Sequence, residues 1–110
     1  LLEIPITSLP DNLKVKGDLY LTRTNIQSLP NNLKVKGNLF LDYTPLTTVP
    51  NDLEVKGALY LKNTPITSLP NDLIVGGDLY LENTPISKKY TPKQFKQMYP
   101  GVKGKIILDY

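Results

Sequence analysis

From Leu13 to Leu21, apolar or glycine positions alternate with polar or aromatic ones. Leu13, Val15, Gly17, Leu19 and Leu21 fall on one face, and Lys14, Lys16, Asp18, Tyr20 and Thr22 on the other. A period of two is the pattern of a strand that buries one side. The same pattern returns at residues 33–41, 53–61 and 73–81. Val15, Val35, Val55 and Val75 keep a spacing of 20 residues without a slip, as do Gly17, Gly37, Gly57 and Gly77. Self-similarity at one fixed period predicts a stacked solenoid, in which each coil buries its apolar face against its neighbours. Glycine at an inward position reads as a bend where the strand turns a corner.

After Leu21 the apolar positions continue through Thr24 and Ile26 to Leu29, and Pro30, Pro50 and Pro70 close successive coils. Proline donates no ladder hydrogen bond, so this side of the coil is extended but irregular. Asn31-Asn32, Asn51-Asp52 and Asn71-Asp72 follow, residue types that tolerate left-handed geometry and cap their own turns. A 20-residue coil of this composition has no room for a helix. The prediction is an all-β-rich solenoid of parallel strands, with coils that stack at about 4.8 Å. Thr24, Thr44, Thr64 and Thr84 form the invariant polar column. With no general base near them they read as structural hydroxyls that bond backbone groups.

The period breaks after Ile86. Thr91-Pro92-Lys93-Gln94 has the form of a helix start, with Thr91 as N-cap, Pro92 in the first position and Gln94 completing a capping box. Phe95, Met98 and Tyr99 share a helical face, and Pro100-Gly101 ends the element. Val102 to Leu108 then repeats the strand motif, displaced from Val75 by 27 residues. The organisation expected is a repeat region, 1–86, with coils at 1–10 (partial), 11–30, 31–50, 51–70 and 71–86. A C-terminal cap, 87–110, follows, with a helix over 92–99 and a final strand over 102–108. Leu1 aligns with Leu21, so the first coil begins in mid-repeat, as expected of a fragment or a processed product; in a spacer or assembly element this open end would stack on further repeats.

The coil resembles a short bacterial or bacteriophage type of leucine-rich repeat. Leu19-x-Leu21-x-x-Thr24-x-Ile26 is similar to the family's L-x-L-x-x-N-x-L core, and Leu29-Pro30 to the L-P step of its 20-residue subtype. Threonine in place of asparagine, the V-x-G lead-in, and the tail from Lys88 to Thr91-Pro92 and Gly101 to Gly104 most resemble repeat proteins of bacteriophages and their hosts. The pattern departs just before the strand, where the first leucine would fall on Lys16. The resemblance implies protein binding on the strand face and no catalytic residues.

Composition and charge narrow the chemistry. There is no cysteine and no histidine, which removes disulfides, cysteine-rich metal sites and the commonest general base. No apolar run approaches a membrane span, and no signal peptide is visible. Seven Lys/Arg face nine Asp/Glu in residues 1–86, whereas residues 87–110 hold six Lys and one Asp. The net charge of +3 therefore reflects a basic tail on mildly acidic repeats. The lysines and aromatics of that tail suit a cap with a polar outer face better than a nucleic-acid site. No cofactor or metal motif is present.

Candidate binding residues lie in the outward columns. Tyr20, Phe40, Tyr60 and Tyr80 make an aromatic stripe, read either as an interaction surface or as a ladder that stabilises the sheet. Thr22, Asp42, Lys62 and Glu82 alternate in sign where they can, which suggests pairing within the protein. Arg23, Tyr43, Asn63, Asn83 and Tyr110 vary most in character. Lys16, Lys36, Lys56 and Lys103 read as a solvated row, with binding of an acidic surface as the alternative. The expected function is a non-enzymatic protein-recognition module on the strand face. The alternative is a spacer or assembly element of a phage particle or larger surface protein. A carbohydrate-cleaving β-helix enzyme is least supported, because the carboxylates are scattered.

Overall fold

The computed structural model describes residues 8–109. Residues 1–7 of the partial first coil, and Tyr110, lie outside them. The chain is a parallel-strand solenoid with 20-residue coils, as the periodicity predicts. Each coil contributes two strands of two residues, divided at the bend that the inward glycine predicts and shorter than the alternation suggests. The first of each pair is Lys14–Val15 (β1), Lys34–Val35 (β3), Glu54–Val55 (β5) or Ile74–Val75 (β7). The second is Leu19–Tyr20 (β2), Leu39–Phe40 (β4), Leu59–Tyr60 (β6) or Leu79–Tyr80 (β8). One sheet runs β1-β3-β5-β7. The other runs β2-β4-β6-β8 and is completed by β9, Ile106–Ile107. Every pair within the coils is in register at i and i+20.

The corner between the two sheets explains the split. Along a strand successive amides point to opposite neighbours. Here Lys36 and Gly37 both donate to the preceding coil, to Val15 O at 2.9 Å and Gly17 O at 3.0 Å. That double step turns the chain through the bend. None of the glycines has a positive φ, so conformational freedom is not what selects them. Space is. A Cβ on Gly37 would meet the Asp18 carboxylate and lie 2.8 Å from Gly17 O, and one on Gly57 would meet Asn38 Oδ1 and lie 2.7 Å from Gly37 O. Those side-chain oxygens sit there because they accept the next coil's amide: Asp18 Oδ1 from Asn38 N at 2.7 Å, and Asn38 Oδ1 from Ala58 N at 2.7 Å. The glycine and the acceptor beside it thus form one corner device, repeated by Asp78 Oδ1 and Lys105 N at 2.8 Å.

Inside, the leucine, valine and isoleucine columns form a single core cluster from Leu21 to Val102. Each fully buried aliphatic side chain contributes about 1.5–3 kcal/mol. The threonine column is buried too. Thr24, Thr44, Thr64 and Thr84 donate Oγ1–H to the carbonyls of Leu21, Leu41, Leu61 and Leu81 at 2.7–2.8 Å. The hydroxyl thereby closes the turn that follows each second strand, and it stays within its own coil.

The C-terminal segment departs from the repeat as anticipated. A 3₁₀ turn, Ile86–Lys88, leads to helix α1, Pro92–Met98, and the Thr91/Gln94 capping box is formed. Phe95 is fully buried, and Tyr90 packs edge-on against it at 5.4 Å. The chain then rejoins the stack with the 27-residue offset, pairing Val75 with Val102 and Leu79 with Ile106. The returning strand is shorter than the 102–108 stretch predicted, because only Ile106–Ile107 is continuous and Val102 forms an isolated bridge. Side chains satisfy carbonyls and amides where the next coil would be: Lys96 Nζ donates to Val102 O and Gly104 O at 3.0 and 2.7 Å. The Asp109 carboxylate accepts from Asn83 N at 2.8 Å, in the role that the Asp42, Lys62 and Glu82 carbonyls play in the earlier coils.

The corner predicts an asymmetry between chemically identical substitutions. Gly57→Ala should destabilise by about 1–3 kcal/mol, the usual range for overpacking. Gly17→Ala, which meets nothing within 4 Å, should change stability by less than about 0.5 kcal/mol. Urea unfolding of the two variants checks this, and equal losses would show that the corner does not select glycine for space.

Candidate functional site

The second sheet and the turn after it hold the candidate columns side by side. On the sheet, Tyr20, Phe40, Tyr60 and Tyr80 stack with ring centroids 4.7, 4.5 and 4.5 Å apart and planes within 12° of parallel. In-register parallel strands place equivalent side chains one strand spacing apart, which flat rings fill face to face. The column is therefore less open than a stripe of four free aromatics. Tyr20, at the end, is 52% exposed, while Phe40, Tyr60 and Tyr80 are half-buried by one another. The Tyr20 hydroxyl donates to Asp18 Oδ2 at 3.1 Å, and this bond to a carboxylate raises its pKa above the ordinary phenol value. Partial burial, with Tyr60 and Asp78 nearby, does the same for Tyr80.

The neighbouring column does not form the salt bridges its alternating signs suggest. Among the described residues, the only ion pair is Lys34–Glu54, on the other sheet. Asp42 Oδ1 instead accepts the backbone N–H of Lys62 at 2.9 Å. In these short coils a backbone amide of the next coil lies nearer a short carboxylate than the ammonium at the end of a lysine stem. Burial raises the Asp42 pKa, and Glu82 adds to the rise, against the lowering effect of Lys62. Thr22 and Glu82 are half-buried, and Lys62 is exposed.

The column led by Arg23 has the most unusual backbone. A turn follows each second strand, closed in the first coil by Thr24 N donating to Leu21 O at 3.2 Å. Its third residue is left-handed in each of the four coils described there: Arg23 at φ 64°, Tyr43 at 59°, Asn63 at 58° and Asn83 at 55°. Glycine and asparagine suit that position, and for other side chains it costs roughly 1–2 kcal/mol. Asn63 and Asn83 follow the rule and hydrogen-bond to each other through their side chains. Arg23 and Tyr43 do not follow it. Both are exposed, and the Arg23 guanidinium carbon sits 4.2 Å from the centroid of the Tyr43 ring. The sequence marks this column as variable. It hides the shared left-handed conformation, for which asparagine in two of the four coils was the available signal.

The twelve described residues of the aromatic column and of the columns led by Thr22 and Arg23 thus lie on one continuous strand-and-turn surface, though unequally accessible. Among the described residues no group of His, Cys, Asp and Glu could hold a metal ion. None of the described helices is long and apolar enough to cross a membrane. No family model, curated protein or solved structure matches the chain.

Two measurements test this geometry. Tyr60 stacks on two rings and Tyr20 on one, and each aromatic contact is worth about 0.5–1.5 kcal/mol beyond area burial. Tyr60→Ser should therefore destabilise roughly twice as much as Tyr20→Ser in urea unfolding. Equal losses would show that the ladder does not carry the stability. For Asp42, a raised folded-state pKa means that the ionised form is penalised by folding, so the penalty is present above the carboxylate range and lifts as pH falls through it. Asp42→Asn keeps an acceptor for Lys62 N–H. It should gain up to about 1 kcal/mol near neutral pH, a figure limited by solvent screening. The gain should shrink on acidification, and a variant less stable at neutral pH would contradict the assignment.

Proposed function

We propose that the chain is a non-enzymatic recognition module that binds a protein partner on the second sheet and the turn beside it. The observation that carries this reading is the Arg23–Tyr43 pair. Two bulky side chains occupy left-handed positions that asparagine fills in the next two coils, and both project into solvent. Backbone strain held at an exposed site is a mark of function, because stability alone would replace it. Arginine and tyrosine are also the residues most enriched at binding hot spots. The likeness of the coil to bacterial and bacteriophage leucine-rich repeats supports the same reading, since that family binds protein on its strand face. The departure at Lys16 corresponds to the additional sheet formed by β1, β3, β5 and β7.

A spacer or assembly role is the second reading, favoured by the aromatic rings, which cover one another. In either reading the helix and β9 serve as a cap: Lys96 occupies two carbonyls at the end of the stack, Val102 O and Gly104 O, where an open edge invites further pairing.

The double substitution Arg23→Asn, Tyr43→Asn separates recognition from scaffold. Relief of strain should leave the protein as stable or up to about 2 kcal/mol more stable, while binding falls by at least about tenfold, a hot-spot loss. The partner would be identified by affinity capture with mass spectrometry and then titrated in purified form. A double variant that loses stability, or that binds the purified partner unchanged, would overturn the reading.

A further inference from the structure

The first sheet presents a different chemistry. Its outward positions form two columns: Lys14, Lys34, Glu54 and Ile74, and Lys16, Lys36, Lys56, Gly76 and Lys103. Six lysines and one glutamate share a face built from strands in strict register. Equivalent lysines therefore recur at about 4.8 Å along the stack. Lys34 is half-exposed and the other five are exposed.

What distinguishes this face is where the nearby carboxylates point. Asp18 gives one oxygen to Asn38 N and the other to the Tyr20 hydroxyl, and Asp78 gives Oδ1 to Lys105 N. Both hold an amide at the corner, and neither forms an ion pair with a described lysine. Among the described residues Lys34 is the only lysine with a carboxylate partner, Glu54 Oε2 at 3.1 Å. A shallow trough lies between the columns, lined by Lys14, Lys34, Val35, Lys36, Glu54 and Lys56. Glu54 compensates Lys34 alone, and like charges held in register without further counter-charges are a standing electrostatic cost, which an anionic partner relieves.

We propose that this lysine trough binds an acidic polypeptide segment, rich in aspartate and glutamate. The Lys34–Glu54 pair shows a carboxylate already seated among these ammonium groups. The face carries no aromatic side chain for bases to stack on and no arginine for bidentate phosphate contacts, which disfavours nucleic acid. Lysines on flexible stems suit carboxylates whose spacing need not match the coil repeat. The site is on the other sheet from the Arg23–Tyr43 surface, and the two stand or fall separately.

The test is fluorescence anisotropy of a fluorescein-labelled glutamate decamer with the full chain, at about 0.05 M and about 0.3 M salt. Binding should be present at low salt and fall steeply at high salt. Lys16→Gln, Lys36→Gln, Lys56→Gln together should weaken it by about tenfold or more. A control of equal net charge, Lys88→Gln, Lys93→Gln, Lys105→Gln, should weaken it by less than about threefold, as expected of distant screened charges. Both variants should keep the melting transition of the parent. Equal weakening by the control would reduce the effect to net charge and overturn the site. So would no binding by the parent at low salt. A thymidine decamer that binds more tightly than the glutamate decamer, with the same lysine dependence, would assign the trough to nucleic acid instead.

Discussion

Everything in this molecule depends on the requirement that each coil superimpose on the next at a single strand spacing. Once β1 pairs with β3 and β2 with β4 in register, any residue meets its own equivalent 20 positions away. Each position is then chosen by whether a side chain can lie against a copy of itself. Leucine, valine and isoleucine can, and they fill the core. Aromatic rings can, because flat faces tolerate the separation. Charges cannot do so without compensation. The carboxylates answer by bonding the next coil's amides, as Asp18, Asp42 and Asp78 do. Lys34 pairs with Glu54, while Lys14, Lys16, Lys36 and Lys56 extend into solvent.

The same constraint governs the corner. Two successive amides must donate backwards, which brings the carbonyl of the preceding glycine and the oxygen of the neighbouring Asp or Asn into the space a Cβ would take. Glycine here is a packing requirement imposed by stacking. It disappears in the first corner, where nothing lies beneath Gly17.

This explains what could be read from the chain and what could not. The coil length, the parallel register, the buried threonines, the capping box at Thr91 and the 27-residue offset to the last strand were all legible, because each is a repetition or a local motif. The bend at Gly17 was legible too, from a glycine at an inward position. The shortness of the strands on either side of it was not, because only the hydrogen-bond directions show where pairing stops and resumes. The pairing of Asp42 was not legible either, since a list of side chains contains no backbone amides. The left-handed turn at Arg23 and Tyr43 was not legible for a related reason: neither residue type signals it, and the asparagines that do are in other coils.

The contrast between the two sheets follows from that reasoning. On the second sheet the aromatic column is self-satisfied, for each ring covers the next. What remains available to a partner is the exposed end at Tyr20 and the strained turn residues beside it. On the first sheet the lysine columns cannot satisfy themselves by stacking, and the carboxylates that might have served them are held by the corner. A repeat that copies its geometry from coil to coil amplifies both outcomes. Compatible side chains become a ladder that consolidates the fold, while incompatible ones become a surface of like charges that stacking cannot compensate. Both proposed recognition surfaces, the turn at Arg23–Tyr43 and the lysine trough, lie where stacking leaves a residue strained or a charge unpaired.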